Sequence, residues 1–180
     1  MRFIKQWDIL LINMLNLCPS EKPILSAYPP SYAFPRTILN NLITGIKFDQ
    51  FRKSGIVTFK GSGEDLSRYS CPQLGAFIAG GFNFALSSII REVPSDPNIY
   101  FFGEEFLTSV RAWTRGWDIY HPHQVICWHY YNSELPRQLS PGSFHHQTCR
   151  IVFLVLATGS TCQNFVDLPI LIDYTRSVNR

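Results

Sequence analysis

The stretch that decides the fold is GEEFLTSVRAWTRGWDIYHPHQVICWHYY, residues 103–131. Phe106, Val110 and Trp113 recur at i, i+4 and i+7, and Gly116 stands where a left-handed helix C-terminus is expected. This spacing predicts a helix over residues 103–116. The segments WDIYHP and QVICWHYY that follow are short, apolar and turn-bounded, and we predict a strand for each.

Alternation in the second of these strands places four side chains on one face: Val125, Cys127, His129 and Tyr131. A neutral imidazole in such an apolar setting is a good metal donor, although a partly buried histidine with a satisfied hydrogen bond would look the same. The remaining histidines fall in turns or loops, where we expect solvated rings: His121, His123, His145 and His146.

Working outward, the residues before this stretch predict one more helix and several strands. Helical spacing of apolar residues covers 4–17, and proline-bounded or apolar runs predict strands at 24–28 and 56–60. Residues 61–72 are expected to form an exposed loop. LGAFIAGGFNFAL, residues 74–86, carries a glycine pair inside an apolar strand, which indicates a bulge or a close approach of the backbone to another group.

Length and composition bound the class of protein. The chain has 180 residues, of which 16% are charged, and a formal net charge of +3. This is one domain or part of one, long enough for a sizeable core, and not a disordered or collagen-like chain. The weak, scattered positive charge favours no nucleic-acid partner.

Neither a signal peptide nor a membrane span is apparent. Charged and polar residues interrupt the apolar N-terminal segment, and the longest apolar run, 151–157, is far shorter than the roughly 20 residues of a spanning helix. The five cysteines are odd in number and widely spaced, without a C-x-x-C pair. We therefore expect no membrane segment in this chain and reduced, mostly buried thiols, as in a reducing compartment.

Glu104 and Glu105 are the acidic residues to consider for chemistry. The helix dipole alone explains two carboxylates in a first turn. With Gly80–Gly81 and His129 nearby in the same apolar region, they also suit a divalent metal or a catalytic acid/base pair. No P-loop, dinucleotide fingerprint, nucleophile elbow or H-E-x-x-H motif occurs.

Four segments together resemble a known family: AGGF (79–82), EVPSDPNIYFFGEE (92–105), VRAWTRGWDIYHP (110–122) and VICWHYY (125–131). The chain resembles the GlcNAc glycosyltransferases typified by the cytoplasmic hydroxyproline GlcNAc-transferase, and more distantly the polypeptide GalNAc-transferases. MRFIKQWDILLINML and PILSAYPPSY are similar to the same family's pattern. The resemblance covers roughly residues 1–132.

This resemblance implies an α/β fold that is part of a GT-A domain, with a mixed sheet flanked by helices. Residues 1–132 would be the C-terminal half of that domain and residues 133–180 its C-terminal extension. The implied reaction is metal-dependent, retaining transfer of GlcNAc from UDP-GlcNAc to a protein hydroxyl of hydroxyproline type, with Mn²⁺ as cofactor. The implied partners are UDP-GlcNAc and an acceptor protein or peptide, in the cytoplasm, or in the Golgi lumen if an anchor lies upstream.

Carried over residue by residue, the resemblance implies three kinds of role. His129 matches a metal ligand, and Glu104 and Glu105 match the acidic pair near the reaction centre. Contacts with the donor sugar are implied for Gly80, Gly81, Trp117 and Asp118.

The sequence departs from the family's pattern at its start. The family's Asp-x-His motif, which supplies further metal ligands, immediately precedes the M-R-F with which this chain opens. A single imidazole does not make a useful Mn²⁺ site. We therefore expect an internally starting fragment with exposed apolar surface, or a form that no longer catalyses transfer. A non-catalytic glycan- or peptide-binding module is the alternative, and a hydrolase using Glu104 and His129 is a weaker third.

Overall fold

A computed structural model describes residues 1–33, 37–38, 40–96, 99, 103–131, 153–156 and 170–172. The helices are α1 (Trp7–Asn16), α2 (Ile89–Glu92) and α3 (Glu104–Trp113), with a 3-10 turn at Leu66–Arg68. The first six strands are β1 (Arg2–Phe3), β2 (Pro23–Ser26), β3 (Tyr32–Ala33), β4 (Thr37–Ile38), β5 (Ile46–Phe51) and β6 (Val57–Gly61). The others are β7 (Gln73–Gly75), β8 (Asn83–Leu86), β9 (Asp118–His121), β10 (Cys127–Trp128), β11 (Phe153–Leu156) and β12 (Ile170–Ile172).

A six-stranded mixed sheet organises the described residues, in the order β12-β11-β8-β2-β9-β7. Strand β2 runs parallel to β9 and antiparallel to β8. Strand β11, which lies in the apolar run at 151–157, pairs in parallel with β8. The predicted α/β architecture with a mixed sheet is confirmed.

Side chains of the central strands alternate between two cores, one on each face of the sheet. The first core receives α1, whose Leu11, Met14 and Leu15 pack with Leu25 of β2 and other buried residues. The second core receives α2 and α3 and contains Ile24, the neighbour of Leu25. Helices therefore cover both faces because each central strand is apolar on both sides.

Three smaller two-stranded sheets complete the fold: β1 with β10, β3 with β4, and β5 with β6. Arg2 pairs with Trp128 and Phe3 with Cys127, so the N-terminal residues lie beside the segment that carries His129. Strand β5 was not predicted, whereas β6 confirms the strand expected at 56–60. The expected exposed loop at 61–72 is wrong at Leu66, which is buried in the 3-10 turn.

The prediction for α3 is confirmed in extent, and Gly116 has the expected positive φ of 77°. The predicted apolar face is wrong. Trp113 is 73% exposed and Val110 40%, whereas Ser109 and Ala112 are buried. Ser109 faces inward because its hydroxyl hydrogen-bonds with the amide of Ile78 and the carbonyl of Glu105 in the interior. A prediction from hydrophobic spacing does not detect such bonds.

The prediction of solvated rings at His121 and His123 is also wrong, because both are buried. His121 lies on β9, where its Nδ1 is 2.9 Å from the carbonyl oxygen of Ser26 and its Nε2 accepts the amide proton of Ile46 at 3.2 Å. The carbonyl only accepts and the amide only donates, so His121 is neutral with its proton on Nδ1. His145 and His146 lie outside the described residues.

The cysteines that the structure describes are free, as expected. Cys18 and Cys127 are buried free cysteines and Cys71 is a half-buried one, while Cys149 and Cys162 lie outside the described residues. None of the helices in the described ranges combines the length and apolar character that a membrane span requires.

Candidate functional site

Four segments meet at one edge of the six-stranded sheet, outside the carboxyl ends of β2 and β9. They are the YPP segment (residues 28–30) after β2, the glycine loop (residues 78–82) before β8, the start of α3, and the residues that follow β10. Ligands of open α/β sheets bind in such crevices, at the carboxyl ends of parallel strands.

The Glu105 carboxylate is held at the centre of this edge. Its Oε1 accepts the amide proton of Gly80 at 2.5 Å, and its Oε2 accepts the hydroxyl proton of Tyr28 at 2.9 Å. Glu105 lies in the first turn of α3, so the helix N-terminus also favours its negative charge. Helix, glycine loop and YPP segment are thus joined through one side chain.

Three successive amides of the glycine loop donate to side-chain oxygens. The amide of Ile78 donates to Ser109 Oγ at 2.8 Å, that of Ala79 to Ser26 Oγ at 2.8 Å, and that of Gly80 to Glu105. These acceptors come from α3 and β2, on different sides of the loop. The backbone conformation of the loop is therefore fixed from both directions.

The glycine pair is required by close approach, as predicted, although it precedes β8 instead of lying inside it. A Cβ on Gly80 would lie 3.3 Å from Glu105 Oε1, and one on Gly81 would lie 3.2 Å from Cδ of Pro29. A small apolar hollow, partly open to solvent, adjoins Pro29 and is lined in part by Ala27, Phe82 and Ile126. Larger residues at the pair would push apart the groups that hold Glu105.

Tyr28 and Tyr131 flank the YPP segment as proton donors. Burial and the negative charge of Glu105 raise the pKa of Tyr28 above its ordinary value of 10.0. Burial also raises the pKa of Tyr131, whose hydroxyl donates to the carbonyl of Pro29 at 2.9 Å. Both hydroxyls therefore remain protonated, and Tyr28 remains a donor to Glu105, at neutral and moderately alkaline pH.

His129 lies at the same edge, next to the YPP segment. Its amide donates to the carbonyl of Pro30 at 2.9 Å, and its ring centroid is 4.5 Å from that of Tyr131. Burial lowers the pKa of the imidazole, and the nearby N-terminal amino group lowers it further. Nδ1 is buried and has no hydrogen-bond partner among the described residues.

A complete metal site is not formed by the residues that the structure describes. Within those ranges, no group of three or more His, Cys, Asp or Glu side chains converges on one point. Mn²⁺ needs several oxygen or nitrogen ligands, so the single imidazole of His129 does not hold it alone.

Trp117 and Asp118 do not lie with the other predicted site residues. Asp118 is the first residue of β9 and pairs with Pro23 at the start of β2, whereas the glycine loop contacts Ser26 at the end of β2. Asp118 accepts the hydroxyl of Ser20 at 2.6 Å. Trp117 is fully buried, and its Nε1 donates to Glu92 at 3.0 Å. Both residues make structural contacts at the start of β9. Pro23, the partner of Asp118, and Ser26 are three residues apart on β2, which is about 10 Å at roughly 3.3 Å a residue.

Glu104 is the first residue of α3 and directly precedes Glu105. Arg111 lies further along the helix and donates to Asp96 at 3.0 Å and to the carbonyl of Pro94 at 2.9 Å. Arg111 thereby anchors the connection that leads from α2 towards α3.

Sequence reasoning missed three residues of the site, namely Ser26, Tyr28 and Ser109. Ser26 is a lone hydroxyl in a buried apolar strand, and Ser109 lies four residues after Glu105 on the same helix. Buried hydroxyls need partners, so a serine inside an apolar pattern is a usable signal. The sequence feature that could have indicated Tyr28 is its position directly before two prolines in the segment PILSAYPPSY.

A scan against protein-family models matches residues 1–161 to the family described as glycosyltransferase (GlcNAc). No curated protein and no solved structure gives a significant match. The family match covers far more than half of the chain and includes all four segments of the site. On this match, the chain belongs to the GlcNAc glycosyltransferase family.

Proposed function

We propose that this chain carries the acceptor-side half of a GT-A domain that transfers GlcNAc from UDP-GlcNAc to a protein hydroxyl of hydroxyproline type. The observation that carries the proposal is the Glu105 carboxylate, fixed by Gly80 and Tyr28 outside the carboxyl ends of β2 and β9. Family membership supports glycosyl transfer, and the mixed sheet with helices on both faces supports the fold.

In the proposed reaction, the bond from the anomeric carbon to the diphosphate oxygen breaks and a bond to the acceptor oxygen forms on the same face of the sugar. UDP leaves with the electron pair of the broken bond, and the departing diphosphate oxygen takes up the proton of the acceptor hydroxyl. A carboxylate has about four lone-pair directions, of which Gly80 and Tyr28 use two. Glu105 therefore retains acceptor capacity for donor hydroxyls and negative charge near a developing oxocarbenium ion.

Glu104 is proposed to share the contacts with the sugar, and Gly80 and Gly81 to form the wall against which the sugar lies. Bound Mn²⁺ would neutralise charge on the leaving diphosphate, with His129 as one proposed ligand. Within the described ranges, no group of three or more His, Cys, Asp or Glu side chains accompanies it, so the effect of Mn²⁺ on transfer is part of the test. Free Cys18, Cys71 and Cys127 support a reducing location such as the cytoplasm.

The test is release of UDP from UDP-GlcNAc in the presence of a hydroxyproline peptide, with Mn²⁺ or with EDTA. It is run on this chain and on a form extended by any in-frame upstream residues. We expect Glu105→Gln to lower turnover by about 100-fold or more. Glu21→Gln, the same chemical change at an exposed residue, should leave turnover unchanged.

Absence of turnover in both forms would reject the enzyme. Binding of UDP-GlcNAc or of the peptide without turnover would then favour a non-catalytic binding module. If the Glu105→Gln variant transfers GlcNAc as fast as the wild-type chain, Glu105 takes no part in the reaction, and the family assignment is unaffected.

A further inference from the structure

We propose that Tyr28 is the positioning residue that fixes the Glu105 carboxylate in the orientation used for the donor sugar. This rests on the proposed function. The hydroxyl of Tyr28 donates to Glu105 Oε2 at 2.9 Å, while the amide of Gly80 holds the other oxygen at 2.5 Å. Each oxygen of the carboxylate is thus tied to a different segment.

The Gly80 contact alone would leave the carboxylate loosely oriented. The terminal torsion of a glutamate is broad, so a carboxylate held at one oxygen still rotates about that bond. The second contact, from Tyr28, fixes the plane of the group and with it the direction of the unused lone pairs. A carboxylate can contact a substrate in many orientations, but it stabilises a transition state only when it is precisely oriented.

Tyr28 is itself held rigidly. Pro29 follows it and restricts its backbone to extended conformations. On one side the amide of Ala27 donates to the carbonyl of Phe82 at 3.2 Å, and on the other Tyr131 donates to the carbonyl of Pro29 at 2.9 Å. The tyrosine is a stiff side chain on an anchored backbone, which suits it to orient another group.

The expected effect of Tyr28→Phe is a loss of about 10- to 100-fold in kcat/KM, since hydrogen bonds to charged groups are stronger than neutral ones. The loss should fall mainly on kcat, because the ground-state contacts of the sugar are largely kept. When Glu105→Gln is already present, adding Tyr28→Phe should lower kcat only slightly further, because the two residues act as a unit. Tyr32→Phe is the matched control, because it removes a hydroxyl on the neighbouring strand β3 that makes no hydrogen bond among the described residues.

A second measurement tests the contact without relying on turnover. In a ¹³C,¹⁵N-labelled chain, the amide of Gly80 is assigned from triple-resonance spectra, and Glu105→Gln should move it. We expect Tyr28→Phe to shift this resonance and to speed its hydrogen exchange about 10-fold, and Tyr32→Phe to do neither. Thermal unfolding of each variant checks that the fold is kept.

The two measurements separate the ways in which the idea can fail. If Tyr28→Phe leaves both the Gly80 amide and kcat unchanged, Tyr28 does not position Glu105. If the amide changes but wild-type chain transfers no sugar in either form, the contact stands and the proposed function fails. Equal losses of kcat in Tyr28→Phe and Tyr32→Phe would assign the effect to general packing and overturn the proposal.

Discussion

The hydroxyl oxygen of Ser109 lies 2.8 Å from the amide nitrogen of Ile78, 31 residues earlier in the chain. The same hydroxyl donates to the carbonyl of Glu105, one helical turn back, at 2.6 Å. Ser109 therefore joins the glycine loop to the first turn of α3 from inside the protein. Because Glu105 also holds Gly80, loop and helix are linked at two points within a few residues.

Replacing Ser109 by alanine should destabilise the fold. The change leaves the buried amide of Ile78 without an acceptor, which costs about 1–3 kcal/mol in the free energy of unfolding. Urea unfolding monitored by circular dichroism measures this. Ser54→Ala, in the exposed turn between β5 and β6, is the control and should change stability by less than about 0.5 kcal/mol. Equal effects would show that the Ser109 contact contributes nothing.

Acidification should weaken the protein through His121. Burial lowers its pKa below the ordinary 6.5, and Nε2 is committed to accepting the amide proton of Ile46. The unfolded chain therefore binds a proton more readily, so the free energy of unfolding should fall as the pH drops below about 6.5. The His121→Asn variant should have a lower free energy of unfolding at pH 7. That free energy should also fall less steeply between pH 7 and pH 5 than it does in the wild-type chain. An unchanged slope in that variant would contradict the assignment.

Alkaline conditions should weaken the protein through Cys18. Burial raises the pKa of this thiol from 9.0 to about 12. Above its ordinary pKa the unfolded chain releases the proton while the folded chain keeps it, so stability present below pH 9 is lost as the pH rises towards 12. In that window, Cys18→Ala should reduce the slope of the free energy of unfolding against pH by about 1.4 kcal/mol per pH unit. Chemical denaturation at several pH values measures both slopes, and identical slopes would argue against a buried thiol.

Trp117→Phe should affect stability and leave donor binding unchanged. Trp117 is fully buried in the second core and donates to Glu92, so its loss should cost about 2–4 kcal/mol. Trp113→Phe, at a residue 73% exposed, is the matched control with little expected effect. Calorimetric titration with UDP-GlcNAc supplies the second measurement. A weaker Kd in Trp117→Phe with an intact fold would instead support the contact with the donor sugar that the family resemblance implies.

The sequence predicted best where local pattern and packing agree. Helix α3 and strand β9 were found because Gly116 terminates the helix and an apolar strand follows directly. The approach of backbone to another group at Gly80–Gly81 was also predictable, since little else explains two glycines in an apolar run. The family followed from the combination of these segments.

Side-chain partners from distant segments could not be predicted in the same way. His121 was expected in solvent because a lone histidine beside a proline resembles a turn, yet hydrogen bonds at both ring nitrogens bury it. The face of α3 was misassigned because Ser109 is buried through hydrogen bonds, which hydrophobic spacing does not detect. Tyr28 gained its role only when β2 and α3 came together.

The sequence separations within the site have a consequence for folding. Tyr28 and Glu105 are 77 residues apart, Ser26 and His121 are 95 apart, and Pro29 and Tyr131 are 102 apart. Helices α1 and α3 form from local contacts, whereas these pairs require closure of long loops, which slows folding. A chain that has formed only its helices and hairpins has no site. Signals from Tyr28 or Gly80 therefore report on assembly of the whole sheet, and not on the local order of one loop.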